Sequence, residues 1–137
     1  MRWADQLIKL SNFELELLQA RLADVTERRE RAEMKLAVIE AEGEAEMALV
    51  RADPQAGWGM ERFNEGLRHR KLLAQRDIDL NVAEETGVRD AIAEAFETLK
   101  KYEQVAENAR AAAKREEARR ENAALDEIGL RRATGRR

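Results

Sequence analysis

The sequence predicts an all-α fold in which two long helices form an antiparallel coiled-coil hairpin, the second helix longer than the first and overhanging it. Three observations lead there. A heptad repeat runs through residues 4–52, a single cluster of helix breakers follows at 53–59, and a second heptad repeat resumes after it. Composition agrees, with 39% charged residues, 4% aromatics, one Pro and seven Gly in 137 residues. Ala, Glu, Arg, Lys and Leu with few breakers make long helices, and so few large apolar side chains fill a narrow seam rather than a thick interior. Disorder is the rival reading of high charge, but the net charge is only −3 and the periodicity is sustained.

The first helix is expected over about 4–52. One row of its seam reads Ile8, Leu15, Leu22, Arg29, Leu36, Gly43 and Val50; the other reads Ala4, Ser11, Leu18, Val25, Ala32, Ile39 and Glu46. Ten of these fourteen are apolar, and the intervening positions are mostly charged or polar.

The pattern breaks at Asp53-Pro54-Gln55-Ala56-Gly57-Trp58-Gly59. Pro54 removes a backbone donor and disfavours helix at Asp53. Gly57 and Gly59 permit the positive φ angles of a tight reversal. Asp53 is alternatively the cap of a helix starting at Pro54. Either way the chain turns within 53–59.

A second helix is expected over about 60–128, with a seam of Met60, Asn64, Leu67, Lys71, Ala74, Ile78, Asn81, Glu85, Val88, Ile92, Ala95, Leu99, Tyr102, Ala106, Ala109 and Ala113. Asn81 and Glu85 interrupt it with polar groups, and Gly87 adjoins them, which predicts a local bend or loosened packing. A short turn between amphipathic helices makes them antiparallel neighbours. With the turn centred near Ala56, facing residues have numbers adding to about 113. Leu36 then faces Ile78, Leu22 faces Ile92 or Val88, and Leu15 faces Leu99.

The arms are unequal: about 49 residues, roughly 73 Å, against about 69 residues, roughly 100 Å, at the helical rise of about 1.5 Å. Ile8 pairs near Ala106, so an overhang begins near Ala111. It holds Lys114, Arg115, Arg119, Arg120, Arg131, Arg132, Arg136 and Arg137 against Glu116, Glu117, Glu121, Asp126 and Glu127, a net +3 where the rest of the chain is −6. Little packing holds such a segment. Helix propensity and pairs such as Glu116–Arg120 favour order to about Ala124, while Glu117–Glu121 opposes it, and residues 129–137 are expected as a frayed tail. The whole, 1–137, is one domain.

No Cys is present, so neither a disulfide framework nor a thiolate metal site is expected. A single His does not supply an imidazole cluster. No apolar run approaches the roughly 20 residues of a membrane span, and Met1-Arg2-Trp3-Ala4-Asp5 lacks a signal peptide's apolar region. A cytoplasmic protein is the expectation. Gly57-x-Gly59 follows no strand and reads as a turn, not a nucleotide loop. Ser11 is the only Ser and His69 the only His, so no Ser-His-Asp set exists. His69, between Arg68 and Arg70, reads as a solvated residue. Carboxylates abound as helical surfaces always offer them, and two helices enclose no substrate cleft. No catalytic, cofactor or metal site is expected, and the chain is read as a non-enzyme.

Two regions remain as candidate binding surfaces. Trp58, with Met60 and Phe63, gathers apolar bulk at the turn; it either closes the end of the seam or anchors a partner. Leu67 follows Phe63 by one helical turn and belongs to either. In the overhang, Arg115, Arg119 and Arg120 interleave with acids and lack any groove-reading pattern, so they form either a solvated face or a surface for a charged protein, in preference to nucleic acid.

The run Leu99-Lys-Lys-Tyr-Glu-Gln-Val-Ala-Glu at 99–107, followed by Arg119-Arg120-Glu121 and Leu125-Asp126-Glu127, resembles the tail of the FliJ family of flagellar type III export proteins. Leu7-Ile8-Lys9-Leu10, with Glu14, Leu18, Gln19, Arg21 and Leu22, resembles the first helix of alphaproteobacterial members, and Gly57-Trp58 through Phe63 and Leu67 resembles their turn. The resemblance covers nearly the whole chain. It implies a stalk-like coiled coil, similar to the central subunit of rotary ATPases, that binds the flagellar export ATPase ring and couples it to the export gate and export chaperones. By that resemblance, Ile8, Arg115, Arg119, Arg120, Leu125, Asp126 and Glu127 face the ATPase. Trp58, Phe63 and Leu67 face the cytoplasmic domain of the export-gate membrane protein. The opposing first-helix stretch, Gly43, Glu44, Glu46 and Met47, departs from the aromatics of other members. The implied location is the cytoplasmic face of the export apparatus, peripheral to the membrane through partners only. The free chain is expected to be a monomer, with a generic structural or oligomerising coiled-coil adaptor as the alternative reading.

Overall fold

A computed structural model describes residues 2–135, apart from the side chain of Ala56; Arg136 and Arg137 of the basic overhang lie outside the described residues. Two long helices account for nearly all of it, α1 over Arg2–Ala52 and α2 over Met60–Thr134, with no strand among the described residues. The fold is an all-α helical hairpin. α2 continues past Ile128 to Thr134, beyond the predicted end. Local pairing explains the extension. Arg131 is within 3.2 Å of Glu127 one turn earlier, and the Thr134 hydroxyl donates to the Leu130 carbonyl at 3.0 Å.

The connection resolves the two readings of Asp53. Its carboxylate accepts the Gln55 amide at 3.1 Å and caps a short 3-10 turn, Pro54–Gly57, with Pro at its first position where no amide partner is needed. α1 closes with the Asp53 amide donating to the Leu49 carbonyl. Of the two turn glycines only Gly59 uses a positive φ, 83°, and its carbonyl accepts the Phe63 amide at the start of α2. Gly57 lies close to Val50, where a Cβ would meet Cγ1 at 3.8 Å.

The residues group into two compact units, Glu16–Ala93 and Met1–Leu15 with Glu94–Arg137. In the unit containing the turn, Val25, Ala32 and Ile39 of α1 are buried, as are Ala74, Ile78 and Val88 of α2. In the terminal unit the buried residues are Ala4, Ser11 and Leu15 of α1 and Ala95, Leu99 and Ala106 of α2. Every one lies on a heptad row. The fourteen seam positions of α1 are all buried or half-buried, and so are those of α2 except Ala113. Cross-helix ion pairs give the register directly. Arg28 meets Glu84, Arg29 meets Glu85 and Arg70 meets Glu42, pairs whose numbers add to 112 or 114.

The packing at Asn81 and Glu85 is not loosened, since both are buried. α2 is unbroken there because each polar group is satisfied. The Asn81 amide donates to the Asp77 carbonyl at 2.9 Å, and Glu85 accepts from Arg29 across the seam and from Arg89 on its own helix. Gly87 costs helix propensity but has open space around it.

Candidate functional site

In the terminal unit, cover ends at Ala111: residues 112–135 of α2 are exposed throughout. An α-helix buries one stripe only where something packs against it, and here nothing among the described residues does. Of the predicted residues at this end, Arg115, Arg119, Arg120, Leu125, Asp126 and Glu127 all fall in the exposed run, whereas Ile8 is half-buried on a seam row.

The arginines differ in how free they are. Arg119 grips Glu116 through two hydrogen bonds of 3.1 and 2.8 Å, and Arg120 reaches the same carboxylate at 3.4 Å. The bond from Arg119 holds the Glu116 carboxyl below its ordinary range and raises the Arg119 guanidinium in return. Lys114, Arg115 and Arg132 make no ion pair among the described residues. Within residues 112–135, three free cations therefore stand among basic groups, Arg119, Arg120 and Arg131, that are shared with acids. Beside them are exposed apolar side chains, Leu125 at 65%, Ile128 at 49% and Leu130 at 67%. Leu125 and Ile128, three residues apart, share a face. Ile128 and Leu130 escaped the sequence reading because the tail was expected to fray.

The same unit exposes Trp3, Leu10 and Phe13 of α1. Their absence from both heptad rows was the signal that they lie outside the seam. Trp3 and Leu10 are seven residues apart and Phe13 three further on, so all three lean toward one outer face.

In the turn-containing unit, the turn turns Trp58 outward: it is 92% exposed and closes nothing. Met60 and Phe63 are half-buried. Leu67 packs on Gly43, whose missing Cβ would lie 2.7 Å from Leu67 Cδ2, so the glycine leaves the space this leucine fills. Leu67, Gly43, Met47, Lys71 and Arg51 line a groove along this stretch. The three residues assigned to the gate are thus unlike one another: Trp58 is presented, Phe63 is half-covered and Leu67 is engaged in the helix pair. His69 is exposed.

A second apolar flank of this unit carries Met34, Val38, Leu73 and Leu80, each about half exposed or more, with Val38 and Leu73 lining a groove bordered by Lys35, Arg70 and Asp77. No group of three or more His, Cys, Asp or Glu is arranged to hold a metal ion among the described residues. Among the same residues no helix is long and apolar enough to cross a membrane.

Over 132 residues, 96% of this chain and 95% of the relative, the sequence is 47% identical to the flagellar FliJ protein of Caulobacter vibrioides strain NA1000 / CB15N. The same protein from Caulobacter vibrioides strain ATCC 19089 / CIP 103742 / CB 15 matches with the same identity and coverage. No protein-family model and no solved structure matches the chain.

Proposed function

The chain belongs to the flagellar FliJ family, and from that premise we propose that it is a non-enzymatic component of the flagellar type III protein export apparatus. It acts as a stalk-like coiled coil that binds the export ATPase ring and couples it to the export gate and export chaperones. The observation that carries the ATPase assignment is the uncovered helix of the terminal unit, exposed from residue 112 to 135. Free cations at Lys114, Arg115 and Arg132 beside Leu125 and Ile128 offer both elements of a protein interface. The cations steer an acidic surface into place, and the apolar residues supply contact area once it arrives. Arg119, Arg120, Asp126 and Glu127 contribute orientation more than affinity, since rim charges mainly set approach.

The gate assignment rests on Trp58. An aromatic side chain 92% exposed on a short, capped turn loses little entropy on docking, which suits a hot spot. Phe63 contributes its open edge, and Leu67 acts by holding the helix pair beneath it. The chain works in the cytoplasm at the membrane-facing apparatus, reaching the membrane through its partners, and is a monomer when free.

The test uses the purified export ATPase with the intact chain and with a chain ending at residue 111. The intact chain is expected to form a complex that weakens as salt rises. The shortened chain is expected to lose it while Trp58→Ala retains it. Equal binding by the shortened chain would overturn the assignment of this end.

A further inference from the structure

A heptad seam has an inherent ambiguity. Its apolar positions recur every seven residues, so a hairpin that slips by one heptad still sets apolar against apolar along most of its length. In this chain such a slip only re-centres the turn by about half a heptad. Something other than hydrophobicity must choose the register.

The turn-containing unit holds a charged feature on the seam that does not repeat. Arg29 occupies a seam position of α1 and Glu85 a seam position of α2, and they meet across the interface. Glu85's side chain is only 11% exposed and Arg29's 24%. Arg28 stands beside them and binds Glu84 through both terminal nitrogens, at 3.2 and 3.1 Å. Outer charges complete the cluster. Arg89 donates to Glu85 at 3.0 Å, Glu33 accepts from Arg29 at 3.0 Å, Arg21 lies 3.7 Å from Glu84, and Arg28 Nε lies 3.4 Å from Asp24.

Moving either helix by one heptad places Arg29 against Ile78 or Ile92, and Glu85 against Leu22 or Leu36. Each charge then stays largely covered with no opposite partner, the arrangement that costs most in a protein interior. Pairing like helices in parallel is worse, since Arg29 would face Arg29 and Glu85 would face Glu85. We propose that the Arg28–Arg29/Glu84–Glu85 cluster is the register lock of the hairpin: it selects one antiparallel alignment of α1 with α2 and rejects both slipped hairpins and homotypic pairing of two chains. Its contribution is selectivity among pairings, so a well-packed apolar replacement keeps the helices folded yet loses the choice.

Cysteine pairs read the register in a chain that has no Cys of its own. Leu36 and Ile78 stand one heptad further along from Arg29 and Glu85, so Leu36→Cys with Ile78→Cys reports the native alignment. Leu36→Cys with Lys71→Cys reports a one-heptad slip. Both pairs are placed in the full chain and in four backgrounds: native, Arg28→Glu/Arg29→Glu, the charge-swapped combination with Glu84→Arg/Glu85→Arg, and the apolar Arg29→Leu/Glu85→Leu. Oxidised products are sized by mass. The native and swapped chains are expected to give the Leu36–Ile78 link within one chain. The apolar variant is expected to remain helical but to send about half or more of its product into the slipped link or into two-chain species. A double-glutamate chain that fails to fold leaves the decision to the apolar variant. A purely native, single-chain link in the apolar variant, or failure of the swapped charges to restore it, would overturn the proposal.

Discussion

Three of the four glycines within the helices, Gly43, Gly66 and Gly87, have different fates on replacement by alanine. Gly66 and Gly87 of α2 have nothing within 4 Å of an added Cβ. There the substitution only removes glycine's backbone freedom, a gain of about 1 kcal/mol each in a helix interior. For a chain of this size that raises the melting midpoint by about 3–5 °C per substitution. The two sites are 21 residues apart on one helix, so the double variant should gain about 2 kcal/mol. At Gly43 the same gain of about 1 kcal/mol is available. However, the new Cβ falls 2.7 Å from Leu67 Cδ2 and within 3.6 Å of two further Leu67 carbons. Leu67 must leave its rotamer or the helices must part, at about 1–3 kcal/mol. Gly43→Ala should therefore be neutral to destabilising by about 2 kcal/mol, the difference between the two ranges. Urea unfolding followed by circular dichroism measures all three. The reasoning is refuted if Gly43→Ala stabilises as much as Gly66→Ala and Gly87→Ala.

Val25, fully buried at 0% exposure, loses two methyl groups on Val25→Ala. At about 0.8 kcal/mol per buried carbon plus a residual cavity, urea unfolding should register a loss of about 2 kcal/mol. Gly59→Ala places a side chain at φ 83°, and thermal unfolding should show a loss of about 1–2 kcal/mol from that strain. The Arg28 and Arg29 hydrogen bonds hold the Glu84 and Glu85 carboxyls below their ordinary 4.5. As pH falls below that value the unfolded chain takes up protons before the folded one, so the stability these groups contribute is present above 4.5 and lost as pH drops through their lowered range. Unfolding titrations on the acid side should show a shallower loss for Glu84→Gln/Glu85→Gln than for the native chain.

Much of this architecture was legible because a seam between two helices writes its spacing directly into the chain. Each α1 residue on the two heptad rows, Arg29 and Gly43 included, is covered as its position required. What stayed hidden depended on pairs rather than rows. The register rule already placed Arg29 opposite Glu84 and Glu85, yet read singly Glu85 looked like a flaw in packing, whereas its partners make it the best-satisfied group of the seam. For Trp58 the sequence leaves the choice open between closing the seam and standing free. Beside Met60 and Phe63 it has the composition of a seam end, but Asp53's cap and Gly59's positive φ set the turn so that the indole faces out. At the terminal end, the exposed run from residue 112 followed from unequal arm lengths. Its persistence as helix to Thr134 rests on local pairs such as Glu127–Arg131, which average propensity underweights. The exposed Trp3, Leu10 and Phe13 needed only the question of which apolar residues the seam leaves out.

Hydrogen exchange on the intact chain, alone and with the export ATPase, tests the central functional claim most directly. Alone, amides of residues 112–134 should exchange faster than those of the buried rows around Val25 and Ile78, because no packing opposes their opening. On binding, the account predicts strong new protection across 112–134. A complex that forms while these amides exchange as freely as before would contradict it.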